Sequence, residues 1–333
     1  MTQRPKVAVI GTGGTISSVG KGPLDLQDYG ANDTMLHVDE LLARFPETNE
    51  VADVHPVRFR AIPSPAMFFA EWRDLVLMID ELASGPDAVD GVVVTHGTAS
   101  LEETAYMLHL TVKAPIPVVV VGAQRPASAL SSDAGLNLVN AIRVAGAIEA
   151  RGLGVLTLLN DEIQCARDVT KTSTYRQQTF KSPDFGALGH ADGDAIVIYR
   201  QPVRAHAPET EFDLREMDGL PRVDVAYAYC GADGTAVRAF VEAGARGIVS
   251  AGFAPGFSAP GDVEALDAAV ARGVVVVQCT RAGSGRTFES TKLEQKGYLT
   301  SDNLNPQKAR LLLSLALAVT DDAGEIRRIF RTY

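Results

Sequence analysis

The chain reads as α/β throughout: a larger amino-terminal domain on a largely parallel, doubly wound sheet, a linker, and a smaller carboxy-terminal α/β domain. Three observations predict this. Short β-branched apolar runs alternate with helical spacing over the first two hundred residues, as strand–helix–strand crossovers require. Between Gln201 and Asp218 the apolar period lapses, and Pro202, Pro208 and several acids intervene. Beyond that break the alternation restarts. A chain of 333 residues also suits two cores better than one. We place the domains at 1–205 and 219–333, with the linker at 206–218.

Taken in order, residues 7–10 form a buried strand, followed by Gly11-Thr-Gly-Gly-Thr-Ile16. Residues 17–33 are rich in Gly, Asp and Ser, hold Pro23 and sustain no period, so they read as a mobile loop. A short helix is expected over 38–45, a strand over 57–62 from its alternation, and a long helix over 70–82. Residues 92–94 are a buried strand ending in Thr95-His96-Gly97-Thr98. The following helix carries Leu101, Ala105 and Leu108 on one face, and Ser100 with Glu103 has the spacing of a capping box. Strands then fall at 117–121, 154–159 and 195–199, with a helix over 133–149. Residues 160–171 read as a polar strand-end loop. The second domain has strands at 225–229, 247–250 and 274–279. Its helices are expected at 236–243, 263–271, 306–319 and 323–330, the third opening on Pro306, where a missing N–H costs nothing.

Composition narrows the function classes. A net charge of -10 argues against an extended nucleic-acid surface, which needs clustered Lys and Arg. The three cysteines, Cys165, Cys230 and Cys279, are widely spaced, form no CxxC pair and are expected to be packed inside. No metal-ligand spacing is present. No apolar run approaches the ~18 residues of a membrane span. Residues 1–6 lead directly into a strand, leaving no apolar core for a signal peptide, so a cytoplasmic location is expected.

Two loops carry the candidate chemistry. The glycines of Gly11-Thr12-Gly13-Gly14-Thr15 fail the dinucleotide fingerprint, because Ile16 stands where the third Gly belongs and Asp33 is poorly placed for a ribose. The loop instead offers Thr15, as the later one offers Thr98, each at the carboxyl end of a strand, where α/β sheets gather ligands. A threonine hydroxyl is a weak nucleophile and needs a base. His96 is one candidate, with a purely structural role equally open. A lysine is the other: Asp161, Glu162, Arg167, Asp168 and Lys171 crowd one loop, and a lysine held among buried partners loses its proton more easily.

Thr12-Gly-Gly-Thr-Ile16, Thr95-His-Gly-Thr98 and Leu101-Glu-Glu-Thr-Ala105 together resemble the bacterial-type L-asparaginase family. The likeness continues through Gly122-Ala-Gln-Arg-Pro126, Asn137-Leu-Val-Asn-Ala141, Asn160-Asp-Glu-Ile163 and Ala166-Arg-Asp-Val-Thr-Lys171. It extends to Phe185-Gly-Ala-Leu-Gly189 and Leu304-Asn-Pro-Gln-Lys-Ala-Arg310. The resemblance implies a flavodoxin-like amino-terminal domain and a cofactor-free amidohydrolase acting on a small amide. It implies a tetramer of intimate dimers, with active sites between subunits. By that resemblance Thr15 forms the acyl intermediate, Tyr29 activates it, and Thr98 with Lys171 prepares water or polarises the amide. Backbone N–H groups near Thr98 and Ala99 supply the oxyanion site, Gly97 lines the substrate site, and Ser64 holds the substrate's α-carboxylate.

The departures fall on substrate recognition. Where the family reads His-Gly-Thr-Asp, this chain has Ala99, and that aspartate grips the α-ammonium and contacts the catalytic lysine. Pro65 replaces a substrate-binding glutamine. The family's asparagine loop reads Gly252-Phe-Ala-Pro-Gly-Phe257, and the glutamate supplied across the subunit interface falls near Glu289 or Ser290. The expectation is an amidohydrolase whose substrate lacks the free α-amino group of asparagine: a modified, N-acylated or cyclic amide. Two alternatives stay open: an ordinary L-asparaginase in which a neighbour compensates for Ala99, and a non-catalytic metabolite binder.

Overall fold

A computed structural model of the chain describes residues 4–32 and 35–333. Contact density divides it between Arg215 and Glu216. In the first unit the strands are β1 (Lys6–Gly11), β2 (Asp53–Arg58), β3 (Gly91–Thr95), β4 (Val118–Val121) and β5 (Val155–Leu159). They continue with β6 (Glu162–Cys165), the short pair β7 (Thr170–Lys171) and β8 (Phe180–Lys181), β9 (Gly189–Ala191) and β10 (Ile196–Ile198). The main sheet runs β10-β9-β6-β5-β4-β3-β1-β2. Its β2-β1-β3-β4-β5 half is parallel, which is the flavodoxin strand order. Helices are α1 (Val38–Arg44), α2 (Thr48–Val51), α3 (Phe69–Ser84), α4 (Leu101–Thr111) and α5 (Ala134–Ala145).

The inner parallel strands β1, β3, β4 and β5 are buried on both faces, which is why they read as nearly unbroken apolar runs, whereas the edge strand β2 stays partly exposed. Val7, Val9, Val93, Val119 and Leu156 pack in one cluster with Leu41 of α1 and Leu138 and Ile142 of α5. Ala8, Ile10, Val92, Val94, Val118 and Val120 fill the opposite face and are equally shut from water. Full burial of one such side chain contributes about 1.5–3 kcal/mol, so this sheet is the stable platform for its loops.

Several expected elements move. The strand expected at 57–62 is β2, four residues earlier, because its register runs Lys6↔Asp53 to Gly11↔Arg58 and later residues pass the end of β1. The helix expected over 133–149 stops at Ala145, where a Cβ on Gly146 would lie 2.6 Å from Pro5, and resumes as a 3₁₀ turn, Ile148–Ala150. The capping box does not form: Ser100 is the N-cap, but its buried hydroxyl makes no cap bond. The loop expected at 160–171 contains strand β6. Asn160 and Asp161 both adopt positive φ, 53° and 63°, and form a two-residue hairpin turn that sets β6 antiparallel to β5. Residues 17–32 are irregular around two 3₁₀ turns, Thr15–Ser17 and Tyr29–Asn32. Asp33, the last residue of that expected loop, lies outside the described residues. Of the segment 206–218, Ala207, Phe212 and Leu214 are buried, and Lys113 Nζ donates to the Thr210 carbonyl at 2.7 Å.

The second unit has a four-stranded parallel sheet in the order β11 (Val223–Tyr227), β12 (Gly247–Gly252), β13 (Val275–Thr280) and β14 (Leu299–Thr300). Helices α6 (Thr235–Glu242) and α7 (Pro260–Ala271) pack on each other and on β11 and β13. After the short α8 (Thr291–Gln295), α9 (Pro306–Val319) lies along β11 to β13, and α10 (Ala323–Thr332) follows against α9. Cys165 and Cys279 are buried as expected, whereas Cys230 is exposed, because β11 ends at Tyr227 and leaves it in the following turn. Among the described residues no helix is long and apolar enough to cross a membrane.

Candidate active site

In the order β2-β1-β3, the chain leaves β1 toward one side and β3 toward the other. A crevice forms at such a switch point, outside the carboxyl ends of the strands. The loops leaving β1 and β3 meet there. Thr12 fastens them, its N–H and hydroxyl both donating to the Thr95 carbonyl, at 3.2 and 2.7 Å. One residue before each candidate threonine the backbones touch: a Cβ on Gly14 would stand 2.4 Å from Gly97 Cα. Gly14 also has φ 93°, where an L side chain is strained. A Cβ on Gly97 would lie 2.7 Å from Ser64 Oγ. Thr15, Ser64 and Thr98 therefore converge on one glycine contact.

Each threonine has a second polar group. Thr15 Oγ1 is 2.8 Å from Tyr29 Oη, fourteen positions later, the intervening loop turning back on itself. Lys171 Nζ donates to Thr98 Oγ1 at 2.8 Å. The hairpin turn at Asn160 and the β7–β8 pair bring the lysine back toward β3. Burial pushes the Lys171 ammonium below the usual lysine range, and the negative charge of Glu102 works against that shift. Among the described residues, the Thr98 and Ala99 N–H groups donate to no backbone carbonyl.

His96 is not the base for Thr98. It is fully buried, its Nδ1–H donates to the Gly97 carbonyl at 2.8 Å, and Nε2 lies beside Met67 Sδ. Desolvation drives its pKa down to about 4, keeping the ring neutral. The other matched motifs brace the strand ends. Asp133 accepts from the Gln124 and Arg125 N–H groups at 2.9 and 3.0 Å. Asn137 Nδ2 donates to the Gly122 carbonyl at 3.0 Å, and its Oδ1 accepts from Asn160 N–H at 2.9 Å.

Ala99 and Pro65 are exposed beside Thr98 and Ser64, so neither position brings a charged or amide group to the crevice. Glu102, named only as part of a motif, is buried at 7% exposure in the first turn of α4. Its signal in the sequence is an acid next to the apolar face of the helix that begins three residues after the candidate threonine. In the second unit Glu289 pairs with Arg327 and Arg331, at 2.6 Å each, and these hold its carboxyl below the usual range. The 252–257 loop closes by Phe253 N–H on the Phe257 carbonyl at 2.6 Å, and Arg281 stacks over the Phe253 ring at 4.6 Å. No group of three or more His, Cys, Asp or Glu among the described residues is placed to hold a metal ion.

A flavodoxin-ordered sheet that brings a Thr–Tyr pair and a Thr–Lys pair to its switch point belongs to the class of open-sheet α/β proteins whose ligand crevice lies at the carboxyl ends of the strands. Comparison with known proteins gives the family. The model of the Asparaginase N-terminal domain matches residues 6–204, and that of the Glutaminase/Asparaginase C-terminal domain matches 222–330. L-asparaginase 2 of Bacillus subtilis is 41% identical over 99% of this chain and 87% of its own. A Haemophilus influenzae protein described as a probable periplasmic L-asparaginase is 39% identical over 99% and 93%. The crystal structure of a probable cytoplasmic L-asparaginase from Campylobacter jejuni superposes with TM-score 0.94 at 36% identity, covering 99% and 100% of the two chains. The chain belongs to the asparaginase family and is an asparaginase-type amidohydrolase.

Proposed function

We propose that the chain hydrolyses a small carboxamide through a Thr15 acyl-enzyme, on a substrate without the free α-amino group of asparagine. The observation that carries this reading is the convergence of the Thr15–Tyr29 and Thr98–Lys171 pairs on the Gly14–Gly97 contact. Thr15 Oγ1 attacks the amide carbon as its proton passes to Tyr29 Oη and the phenol's own proton passes on to the leaving nitrogen. The C–N bond breaks and ammonia departs. Thr98 and Lys171 then activate water, which attacks the acyl carbon, frees the acid and restores Thr15. The Thr98 and Ala99 N–H groups stabilise the oxyanion in both steps. Ser64 receives the substrate's carboxylate.

Ala99 and Pro65 support the substrate half of the reading. An ammonium bound without a carboxylate forgoes a charge-assisted hydrogen bond, about 1.5–3 kcal/mol. We place the enzyme in the cytoplasm as a tetramer of intimate dimers in which Glu289 reaches a neighbouring site, with domains at 1–205 and 219–333. The test is ammonia release from L-asparagine, L-glutamine, N-acetyl-L-asparagine and succinamate, with ring opening of a cyclic imide followed separately. The reading expects the amides without a free amine to have the higher kcat/KM, and Thr15→Ala to abolish turnover. A micromolar KM for L-asparagine would overturn it in favour of plain L-asparaginase activity, the second reading, which the names of the relatives favour.

A further inference from the structure

The peptide joining Gly97 to Thr98 lies where the two loops of the crevice meet, and glycine makes it hard to hold. Residue 97 has no room for a side chain, because a Cβ there would lie 2.7 Å from Ser64 Oγ. A glycine on the irregular turn between β3 and α4 leaves the peptide after it free to swing. Its direction matters, because the Thr98 N–H is one of the proposed oxyanion donors. Thr98 is only 7% exposed, yet among the described residues its N–H meets no acceptor within the chain. Buried N–H groups are almost always paired, which leaves this one open to an oxygen in the crevice.

His96 fixes that direction. Its ring is fully buried, and desolvation keeps it neutral, with one N–H to give. A carbonyl oxygen can only accept, so the 2.8 Å contact between Nδ1 and the Gly97 carbonyl puts the proton on Nδ1. Nε2, without a proton, rests 2.9 Å from Met67 Sδ, and the His96 N–H donates to the Val121 carbonyl of β4 at 2.8 Å. Ring and backbone are therefore both tied to the core. The Gly97–Thr98 peptide is trans, and in a trans peptide the C=O and the following N–H share a plane and point in opposite directions. Holding the Gly97 carbonyl on the buried ring turns the Thr98 N–H away from it.

We infer that His96 is a positioning residue for the amide hydrolysis: its Nδ1–H anchors the Gly97 carbonyl so that the Thr98 N–H faces the crevice, aimed at the oxygen that becomes negative in the transition state. A donor fixed in advance needs no reorganisation when that charge develops. The close approach that demands glycine at 97 and the histidine that removes the resulting freedom thus stand side by side in the sequence. This inference rests on the proposed oxyanion role of the Thr98 N–H. It does not depend on which amide is hydrolysed.

Three variants separate the donor from the bulk of the ring. His96→Asn keeps an N–H where Nδ1 stands, His96→Gln carries its amide one bond further, and His96→Leu has no donor. For whichever amide is turned over, kcat should fall about tenfold in His96→Leu and His96→Gln with KM little changed. That is part of the about 10²–10³-fold that losing an oxyanion donor outright costs. His96→Asn should retain most of the native kcat, although its melting temperature falls like that of the others. Crystal structures should show the Gly97–Thr98 peptide turned in His96→Leu and native-like in His96→Asn. An unturned peptide in His96→Leu overturns the inference whether or not an amide is hydrolysed, and so does a kcat for His96→Asn no higher than for His96→Leu. If His96→Leu does not fold, His96→Gln takes its place in both comparisons. Failure of the acyl-enzyme reading shows separately, as turnover that survives Thr15→Ala.

Discussion

Replacing Ala99 by aspartate adds one carboxylate to the crevice and tests the substrate reading directly. The Cβ of residue 99 is exposed beside Thr98, so a carboxylate fits there without displacing the core. A charge-assisted hydrogen bond to a substrate ammonium is worth about 1.5–3 kcal/mol, and the exposure of position 99 puts the gain near the lower bound. That corresponds to about tenfold in kcat/KM for L-asparagine. An amide without the amine gains nothing and meets an added negative charge. Ammonia release from L-asparagine and from N-acetyl-L-asparagine by the native protein and Ala99→Asp should therefore show the ratio of the two kcat/KM values moving toward asparagine by tenfold or more. A ratio unchanged by the substitution would refute the claim that position 99 governs recognition of the amine.

Tyr29→Phe removes the partner of Thr15 at 2.8 Å. Turnover should fall by about 10²–10⁴-fold, while the melting temperature changes little because Tyr29 is half-buried at a loop. Gly14→Ala should cost more in folding than in chemistry alone: its Cβ would meet Gly97 Cα at 2.4 Å, and φ 93° adds about 1–3 kcal/mol of strain. Thermal melts should register that loss, and a native-like melting temperature would mean that the two loops do not touch. His96 is held near pKa 4, below the free value of 6.5. The unfolded chain therefore takes up that proton first, and stability is lost as pH falls from about 6.5 through 4, by up to about 3 kcal/mol. His96→Gln should flatten melting temperature against pH in that window, and an unchanged slope would assign the acid sensitivity elsewhere.

The alternation of Val-rich runs with helical spacing determined the parallel strands and most helices, because strands buried on both faces admit few residue types. Thr15 and Thr98 were legible as hydroxyls at strand ends for the same reason, their loops following sharply bounded apolar runs. The signal for β6 is also in the sequence, masked by the polarity of the segment: Asn160-Asp161 suits positive φ, and two such residues between strands are a hairpin turn. Elsewhere the residues left the answer open. His96 lies two positions from Thr98 and looked as suitable a base as any lysine, until burial against Met67 excluded it. Lys171, seventy-three residues away, bonds the hydroxyl instead.

That contrast marks the division. Local pattern determined what can be decided by a residue and its near neighbours: strand, helix, turn, and the uncharged residue at position 99, which is written at the position itself. Only the tertiary structure decided which groups share a charge environment. The strand order 2-1-3-4-5 sets the β1 and β3 loops side by side, the Gly14–Gly97 contact fixes their separation, and desolvation of Lys171 against Glu102 depends on atoms brought together from separate elements. Burial and Coulomb interactions act through distance in space, and one-dimensional spacing carries that distance only within a single element.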